Sequence, residues 1–430
     1  MICKKDANGA AKVLEALKKN QIVIIPTDTV YGFSGLVLEK DIPADILHSY
    51  EKIRTEIYEQ SSVASDKIAD IIVNAINSCK DRNFKLGLTT GKTPASLYAR
   101  LTQLYKEGKV SFKNVEVFSI DEYYPYGRKA PQSRNQILHT SLLNAVDIKE
   151  ENIHIPDGSI APEKVSEYCA EFDKLARGLD LLVIGMGEHG QVGFNEAGSS
   201  PSSRTRTVLL SYQSRKRQGK NFNGDFKHTP SEAITLGLDT MHSAKKIILM
   251  AWGEDKANAV KNVVENAADL NYPASFLQTH PDITCYVDET AASLMTRVVS
   301  PWLVGPCDWT RKFIRKAVVW LCQEVHKPIH KLTLNDYLEH SLGELIDKFG
   351  PYDKINIEVF NDLQHTITGW PGGKPNADDS QRPVPALPFP KTVLIFSPHP
   401  DDDVISMGGT FIRLVHQGHN VHVAYETSGD

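Results

Sequence analysis

Acidic side chains follow two apolar, strand-like runs of the sequence, at positions where they could do chemistry. In "VEVFSIDEYY" the apolar run is followed by Asp121 and Glu122. In "VLIFSPHPDDD" it is followed by His399 and the triplet Asp401–Asp403. A carboxylate at the carboxyl end of a strand suits general-base work if it is partly desolvated, although a helix cap or surface turn is the alternative. A histidine beside aspartates suits zinc, which takes three protein ligands in catalytic sites. The first run therefore predicts a proton-transfer site, and the second predicts part of a hydrolytic metal site.

A loop of small residues in "LGLTTGKTPASLYARL" predicts an anion site. Thr93 is placed to cap a helix, and Pro94 is placed at the first helical position. A helix that begins behind such a loop offers free backbone N–H groups to a phosphate. The stretch also imitates a nucleotide P-loop, but three residues separate Gly87 from Gly91 where that motif needs four. A sugar-phosphate loop is favoured over a nucleotide site or a plain structural turn.

A glycine-rich stretch, "LDLLVIGMGEHGQVGFNEAGSSPSSRTR", follows a further strand-like run. Gly185, Gly187 and Gly190 form a GxGxxG pattern, which is a weak signal by itself. The next strand candidate, "TVLLS", ends without the acidic residue that would bind a ribose, and "NEAGSSPSS" is not typical of a helix. The context of these glycines therefore argues against a dinucleotide site.

Strand-like runs alternate with amphipathic helical patterns from about Ile42 to Val298, and these elements must position the candidate residues. The strand candidates are "FKLGL", "VEVFSI", "LDLLVIGMG" and "AKKIILMAW", and "SDKIADIIVNAINSC" is typical of a helix with one buried face. This alternation predicts an α/β fold, a doubly wound and mostly parallel sheet with helices on both faces. Ligands bind at the carboxyl ends of the strands in such sheets, so the three stretches should share one edge.

As a set, "GLTTGKTP", "FSIDEYY", "GMGEHGQVGFNEAGSSPSSRTR" and "WGEDKANAV" resemble the glucosamine-6-phosphate deaminase family, over residues 42–298. The resemblance implies isomerisation of a 2-amino-sugar phosphate with loss of ammonia, without a cofactor and in a homo-oligomer. Asp121 would be the base that moves the C2 proton to C1. Lys220 stands where the family has an arginine, and it keeps the charge but not the bidentate fork. The residues implied to bind the phosphate are Thr90, Gly91, Lys92, Thr93, Lys220 and Lys256.

The glycine-rich stretch departs from the family pattern GxGxDGHxAFNEP. His189 stands at the aspartate position and Gln191 at the position of the histidine that opens the sugar ring, while Glu196 is kept. Glutamine has no titratable proton, and His189, two residues earlier in the chain, is not expected to replace the missing histidine. Lys92 stands at a family glycine, which adds both charge and bulk. The resemblance thus implies a deaminase with weakened or different chemistry, and a catalytically silent sugar-phosphate sensor is the alternative.

The amino-terminal stretch "IVIIPTDTVYGFSG" resembles the start of the threonylcarbamoyl-adenylate synthases, over residues 1–37. The triplet Lys52–Arg54 imitates the KxR element of that family. We interpret this triplet as a coincidence, because it is predicted to lie in a helix-like segment joined to the middle domain. Residues 299–390 combine helical patterns with a proline-rich linker.

Residues 391–430 resemble the start of the zinc-dependent N-acetylglucosaminyl deacetylases of the PIG-L and LmbE type. The resemblance implies that His399 and Asp402 are metal ligands and that Asp401 is the general base, with Asp403 at a family glutamate. The third ligand of that family would lie beyond residue 430, so zinc is expected only in a complete deacetylase domain. A helix that leads away from the site at about 1.5 Å per residue should keep three later histidines out of reach of the metal. These histidines are His416, His419 and His422.

Two partial ends around one complete domain are most simply interpreted as a truncated or misjoined reading frame. A natural fusion fragment is the alternative. A deaminase fused to a deacetylase would be chemically sensible, because deacetylation of an N-acetylglucosamine derivative yields the free amine.

The composition limits the class of protein. A chain of 430 residues is too long for one ordinary core and predicts two or three domains. The net charge of −5 and the absence of a Lys/Arg-rich run argue against nucleic-acid binding. Six widely spaced cysteines are typical of reduced thiols, and no apolar stretch approaches the ~20 residues of a membrane span. We therefore expect a cytoplasmic protein, and the resemblance to the deaminase family implies a sugar-phosphate substrate.

Overall fold

The computed structural model describes residues 22–24, 50–222, 224, 226–364, 392–416 and 418–427. The described residues between 50 and 306 form one compact unit. Residues 22–24, together with the described residues from 307 onward, form a second compact unit.

The strands and α-helices are numbered in chain order. The strands are Ile22–Ile24 (β1), Arg54–Tyr58 (β2), Phe84–Leu88 (β3), Val115–Ser119 (β4), Asp121–Tyr124 (β5), Ile153–His154 (β6), Leu181–Gly185 (β7), Arg206–Leu209 (β8), Glu232–Thr235 (β9), Ile247–Ala251 (β10), Ile283–Asp288 (β11), Thr392–Ser397 (β12) and Asn420–Tyr425 (β13). The α-helices are Ser61–Ser78 (α1), Ala95–Lys106 (α2), Arg134–Ser141 (α3), Val165–Ala176 (α4), Tyr212–Gln218 (α5), Leu238–His242 (α6), Ala257–Val264 (α7), Thr296–Val299 (α8), Arg311–Val325 (α9), Leu334–Glu339 (α10), Gly343–Phe349 (α11), Tyr352–Gln364 (α12) and Asp402–His416 (α13).

A seven-stranded sheet organises the first unit, in the order β2-β11-β10-β7-β3-β4-β6. Every neighbouring pair is parallel. Side chains alternate between two apolar clusters: Leu182 and Ile184 belong to one, whereas Leu181 and Val183 belong to the other. Both faces of the sheet are therefore buried, as the near-continuous apolar runs require. The predicted doubly wound α/β fold is confirmed.

A smaller antiparallel sheet, in the order β5-β9-β8, begins where the chain leaves β4. Ile120 is the link between the two sheets: its N–H donates to the carbonyl of Leu88 at 3.2 Å, and its carbonyl accepts from the N–H of Leu236 at 2.8 Å. Asp121 follows at once and pairs with Thr235 across the small sheet. The sequence predicted a strand end at this point but not the second sheet, which pairs the backbone of Asp121 with β9.

Two local predictions are wrong. The triplet Lys52–Arg54 is not helical, because Arg54 begins β2 and the N–H of Lys52 donates to the carbonyl of Val264. Thr93 does not cap a helix and Pro94 is not the first helical residue: α2 begins at Ala95, directly after Pro94, and no side chain caps its amino end. The helical interpretation of "RKFIRKAVVWLCQEV" is confirmed by α9.

The second unit contains the helices α9–α12 and a three-stranded parallel sheet in the order β1-β12-β13. In this sheet Ile22–Ile24 pairs with Val393–Ile395. The rest of the synthase-like stretch predicted at residues 1–37 lies outside the described residues, as does the whole proline-rich linker. Among the residues that the structure describes, no helix is long and apolar enough to cross a membrane.

Candidate active site

Asp121, the first residue of β5, is buried at the carboxyl edge of the large sheet, where the chain has just left β4. Its Oδ1 lies 3.5 Å from Nε of Arg134, and this oxygen has no hydrogen-bond partner among the described residues. Burial raises the pKa of the Asp121 carboxyl, and the positive charge of Arg134 opposes that rise. A carboxylate that is desolvated but paired is the arrangement a general base needs in order to titrate closer to neutral pH.

Arg134 is the first residue of α3, and aromatic rings hold its guanidinium in place. The guanidinium carbon lies 4.8 Å from the ring centre of Tyr123 and 5.2 Å from that of Phe194. Both contacts fall within the range of cation–π attraction. The sequence did not predict this role, because nothing in "QSRNQIL" links Arg134 to Asp121.

Glu122 has a different role from its neighbour. Its carboxylate accepts the N–H groups of Arg134 and Asn135 at 2.9 Å each, and that of Tyr123 at 2.8 Å. It therefore satisfies free donors at the amino end of α3. The helix-cap alternative is correct for Glu122, whereas Asp121 is left for chemistry.

The backbone at Gly193 passes close to Asp121. This residue has φ of +56°, and a Cβ there would lie 2.8 Å from Oγ1 of Thr235 and 3.5 Å from Oδ2 of Asp121. A larger residue would be strained by its conformation and would push against the hydroxyl of Thr235, while only touching the carboxylate. Gly193 therefore lets the glycine-rich stretch pack closely on the small sheet beside Asp121.

Gln191 belongs to a closed turn that starts at Gly187. The N–H of Gly187 donates to the carbonyl of Gln191 at 2.9 Å, and the N–H of Gly190 donates to the carbonyl of Gly187 at 3.0 Å. The side chain of Gln191 folds back over Gly187, and its Oε1 accepts the N–H of His189 at 2.9 Å. His189 itself is exposed. The amide at the predicted ring-opening position therefore stabilises the turn in this structure.

Glu196 lies at the amino end of α5. Its Oε2 accepts the N–H of Ser211, the capping residue of that helix, at 3.1 Å. Its Oε1 is buried and has no hydrogen-bond partner among the described residues. The carboxylate therefore has one oxygen available to a ligand.

The small-residue loop is braced from two sides. A Cβ at Gly185 would lie 3.2 Å from Cβ of Thr93, so the glycine lets the loop pack on the end of β7. The indole N–H of Trp252 donates to the carbonyl of Thr93 at 2.9 Å. Gly91 has φ of +112°, and Oγ1 of Thr90 is buried with no hydrogen-bond partner among the described residues. The loop thus retains an unused hydroxyl beside its sharp turn, while the side chain of Lys92 is exposed.

Two cations converge on the first turn of the glycine-rich stretch. Nζ of Lys256 lies 3.7 Å from Oε1 of Glu188, and Nε of Arg217 lies 3.9 Å from its Oε2. Lys256 also contacts Asp255 at 3.0 Å. The structure thus brings Lys256 towards Arg217, whereas the predicted partner Lys220 is exposed beyond the end of α5. The sequence signal for Arg217 was the basic run "SRKRQGK", which does not by itself identify the cation that turns inward.

The predicted metal ligands of the second unit lie together after β12. Nδ1 of His399 lies 2.9 Å from Oδ2 of Asp402, whereas Asp401 is exposed. Asp403 is buried, and its N–H donates to Oγ of Ser397 at 3.0 Å. His422 lies within β13 opposite Leu394 rather than at its start. No group of three or more His, Cys, Asp or Glu side chains in the described part of the chain could hold a metal ion. These residues therefore do not fit a complete catalytic zinc site.

The fold and this edge define a class of protein: a parallel α/β domain with a buried carboxylate and a cationic site at the carboxyl ends of its strands. The sequence profile of the glucosamine-6-phosphate isomerases/6-phosphogluconolactonase family matches residues 59–285, and the chain belongs to this family. The profile of the GlcNAc-PI de-N-acetylases matches residues 394–430. Both resemblances predicted from these regions are confirmed, while the threonylcarbamoyl-adenylate synthase resemblance stays a prediction.

Relatives and a solved structure extend this result. The chain is 47% identical over 397 residues to a glucosamine-6-phosphate deaminase-like protein of Bacteroides thetaiotaomicron, covering 91% of this chain and 60% of that protein. It is 37% identical over 246 residues to the glucosamine-6-phosphate deaminase of Thermoanaerobacter pseudethanolicus, covering 56% of this chain and 94% of that protein. The structure of a monomeric glucosamine-6-phosphate deaminase superposes with a TM-score of 0.53 at 31% identity, over 56% of this chain and 100% of that chain. The chain thus spans 60% of the Bacteroides relative and nearly the whole length of the shorter deaminases.

Proposed function

We propose that the domain matched at residues 59–285 converts glucosamine 6-phosphate and water to fructose 6-phosphate and ammonia. Asp121 carries this proposal, because it is a buried carboxylate, paired with Arg134 and without a hydrogen-bond partner on Oδ1 among the described residues, at the edge where ligands bind in parallel sheets. In the proposed step its carboxylate takes the proton from C2 of the open-chain sugar and returns it to C1. The resulting ketose imine then adds water and releases ammonia.

The phosphate is proposed to bind between the small-residue loop and the two converging cations. Thr90 offers an unused hydroxyl, and Lys256 and Arg217 offer positive charge. Arg217 would supply the bidentate fork that Lys220 lacks at the family position. Lys220 keeps a secondary part in the proposal, as a cation at the mouth of the site.

The Lys256→Ala variant tests this phosphate site. A hydrogen bond to a charged group contributes roughly 1.5–3 kcal/mol, so the affinity for glucosamine 6-phosphate in calorimetry should fall about tenfold or more. Lys106→Ala, at the exposed far end of α2, is the matched control and should bind as the parent does. Unchanged affinity in Lys256→Ala would remove this lysine from the site.

Ring opening is expected to be the weak step. Gln191 cannot exchange the proton that opens the pyranose, and its amide oxygen is already bonded to the N–H of His189. General acid–base catalysis typically contributes ~10²–10⁴-fold, so turnover on the cyclic sugar should be low by about that factor. Open-chain substrate can still react through Asp121.

A catalytically silent sugar-phosphate sensor is the second candidate function. The structural use of Gln191 in its turn favours it, because a side chain held in that way need not take part in chemistry. Ammonia release from glucosamine 6-phosphate, followed with a coupled dehydrogenase, separates the two candidates. Slow release that disappears in Asp121→Asn supports the deaminase, and binding without any release supports the sensor. Failure to bind the sugar phosphate at all would refute both.

Three further proposals concern the whole chain. The deaminase domain needs no cofactor, and residues 391–430 add zinc-dependent deacetylase chemistry only when the rest of that domain is supplied, in a bifunctional protein. Homo-oligomerisation is proposed from the family resemblance, although one related structure is that of a monomeric deaminase, and analytical ultracentrifugation would decide it. The proposed location is the cytoplasm, where a sugar-phosphate substrate would be available.

A further inference from the structure

Glu188 lies between the two cations that are proposed to bind the phosphate. Its two carboxylate oxygens each face one of them, Oε1 towards Lys256 and Oε2 towards Arg217, at 3.7 and 3.9 Å. The side chains of Lys256, Arg217 and Glu188 are 15%, 29% and 37% exposed, so the carboxylate can leave towards solvent while the lysine remains largely enclosed. This is the geometry of a carboxylate bridging two positive groups, which is also the geometry in which a phosphate binds them.

We propose that Glu188 is an internal competitor for the phosphate of the substrate. In the ligand-free protein its carboxylate occupies the cation pair, and a phosphate binds by displacing it. This inference rests on the proposed phosphate site. It adds a residue that sets how strongly the site selects for phosphorylated over unphosphorylated sugars.

The position of Glu188 gives the displacement a consequence for the rest of the site. Glu188 belongs to the turn that runs from Gly187 to Gln191, which is closed by backbone hydrogen bonds and by the Gln191 side chain. A phosphate that releases Glu188 therefore releases a tether on the turn that carries His189. Binding at the phosphate end is in this way coupled to the part of the site nearest the proposed ring-opening position.

The Glu188→Gln variant tests the proposal with inorganic phosphate and with glucosamine 6-phosphate as probes. Because partly exposed ion pairs are weak, removing this charge should tighten phosphate binding roughly threefold in calorimetry. The affinity for unphosphorylated glucosamine should not change. Glu151→Gln is the matched control, since Glu151 is exposed and forms an ion pair of the same length, 3.7 Å, with Lys149. That variant changes the net charge equally and should leave phosphate affinity as it is.

The double variant Glu188→Gln with Lys256→Ala distinguishes failure of this inference from failure of the phosphate site. If Lys256→Ala loses phosphate and the gain from Glu188→Gln shrinks in its background, both proposals stand. If Lys256→Ala loses phosphate but Glu188→Gln alone binds no more tightly than the parent, the competitor role is overturned and the site stands. If Lys256→Ala binds phosphate normally, the phosphate site itself is wrong, and the inference that rests on it is withdrawn with it.

Discussion

Replacing Arg134 by methionine should make Asp121 easier to protonate, because the positive charge of the arginine opposes the rise that burial causes in the pKa of the Asp121 carboxyl. Nε of Arg134 and Oδ1 of Asp121 lie 3.5 Å apart, and both side chains are buried. Burial already raises the pKa of Asp121, and the positive charge limits that rise. Methionine retains an apolar stem that can pack on Tyr123 and Phe194, so the change removes charge with little loss of volume.

The magnitude follows from the separation of the charges. Two unit charges 3.5 Å apart attract by about 5 kcal/mol at an effective dielectric constant of about 20. Truncating one partner of a buried pair costs about 3–5 kcal/mol when the other stays charged. The penalty in Arg134→Met should reach this range only where Asp121 remains ionised, because a protonated carboxyl avoids it.

The sign of the pH dependence follows by linkage. A carboxyl whose pKa is raised by folding binds more protons in the folded state, so its contribution to stability is lost as pH rises from the ordinary aspartate range through the raised pKa. Arg134→Met raises the folded pKa of Asp121 further and should therefore lose stability with rising pH more steeply than the parent. Glu122, whose pKa burial also raises, and the phenol of Tyr98 face the same region, but they are present in every variant.

Urea unfolding of the parent, Arg134→Met and Arg134→Met with Asp121→Asn, between about pH 5 and about pH 8, measures the effect. The single variant should lose more free energy of unfolding across this range than the double variant, because the double variant lacks the Asp121 carboxyl and keeps only the pH dependence that other groups such as Glu122 give every variant. If the single and double variants lose the same amount, the pair does not control the ionisation of Asp121. In that case the proposed tuning of the base is refuted, whatever the turnover.

Three other predictions follow from separate parts of the chain. Gln191→His together with His189→Asp, which restores the family pattern, should raise ammonia release by about 10²-fold or more, and an inactive but substrate-binding double variant would favour the sensor. Arg297→Met should lower the free energy of unfolding by about 3–5 kcal/mol, because Nε of Arg297 and Oε1 of Glu51 form a buried pair at 2.9 Å. Adding Glu51→Gln should recover part of that loss, because it removes the buried charge that has lost its partner. Equal unfolding midpoints for the parent and Arg297→Met would show that this pair does not stabilise the fold. The 430-residue chain should hold no stoichiometric zinc by elemental analysis, and one zinc per chain that His399→Ala removes would show that a third ligand is present.

The large sheet could be predicted because its strands are buried on both faces and read as continuous apolar runs. "FKLGL" and "LDLLVIGMG" led directly to β3 and β7, and the alternation with helices fixed the fold class. The antiparallel sheet could not be predicted in the same way. β5 and β9 are only four residues each and carry charged or polar groups, so their pairing depends on contacts between distant parts of the chain.

The candidate site was predictable to a similar degree. Asp121 and Lys256 could be predicted because each lies within a continuous sequence motif. Arg134 and Arg217 could not, because each contacts a partner that no local pattern links to it. A single sequence shows that a basic run exists and does not show which of its members turns inward. For Lys220 and Arg217 the answer is set by the end of α5, which leaves Lys220 exposed and directs Arg217 towards Glu188.

Two of the departures from the family pattern, His189 and Gln191, lie in one turn, and this bears on how the site could have changed. On one side of this turn Glu188 contacts Lys256, one of the two cations that are proposed to bind the phosphate. On the other side the amide oxygen of Gln191 accepts the N–H of His189 and closes the turn. The surrounding scaffold is held by contacts of its own: Asp121 is paired with Arg134, and Thr93 packs on Gly185. A change confined to a turn leaves the core and both sheets untouched, so it should cost little stability. The proposed base, on β5, and the predicted ring-opening position, in the turn, therefore lie on different elements that need not change together.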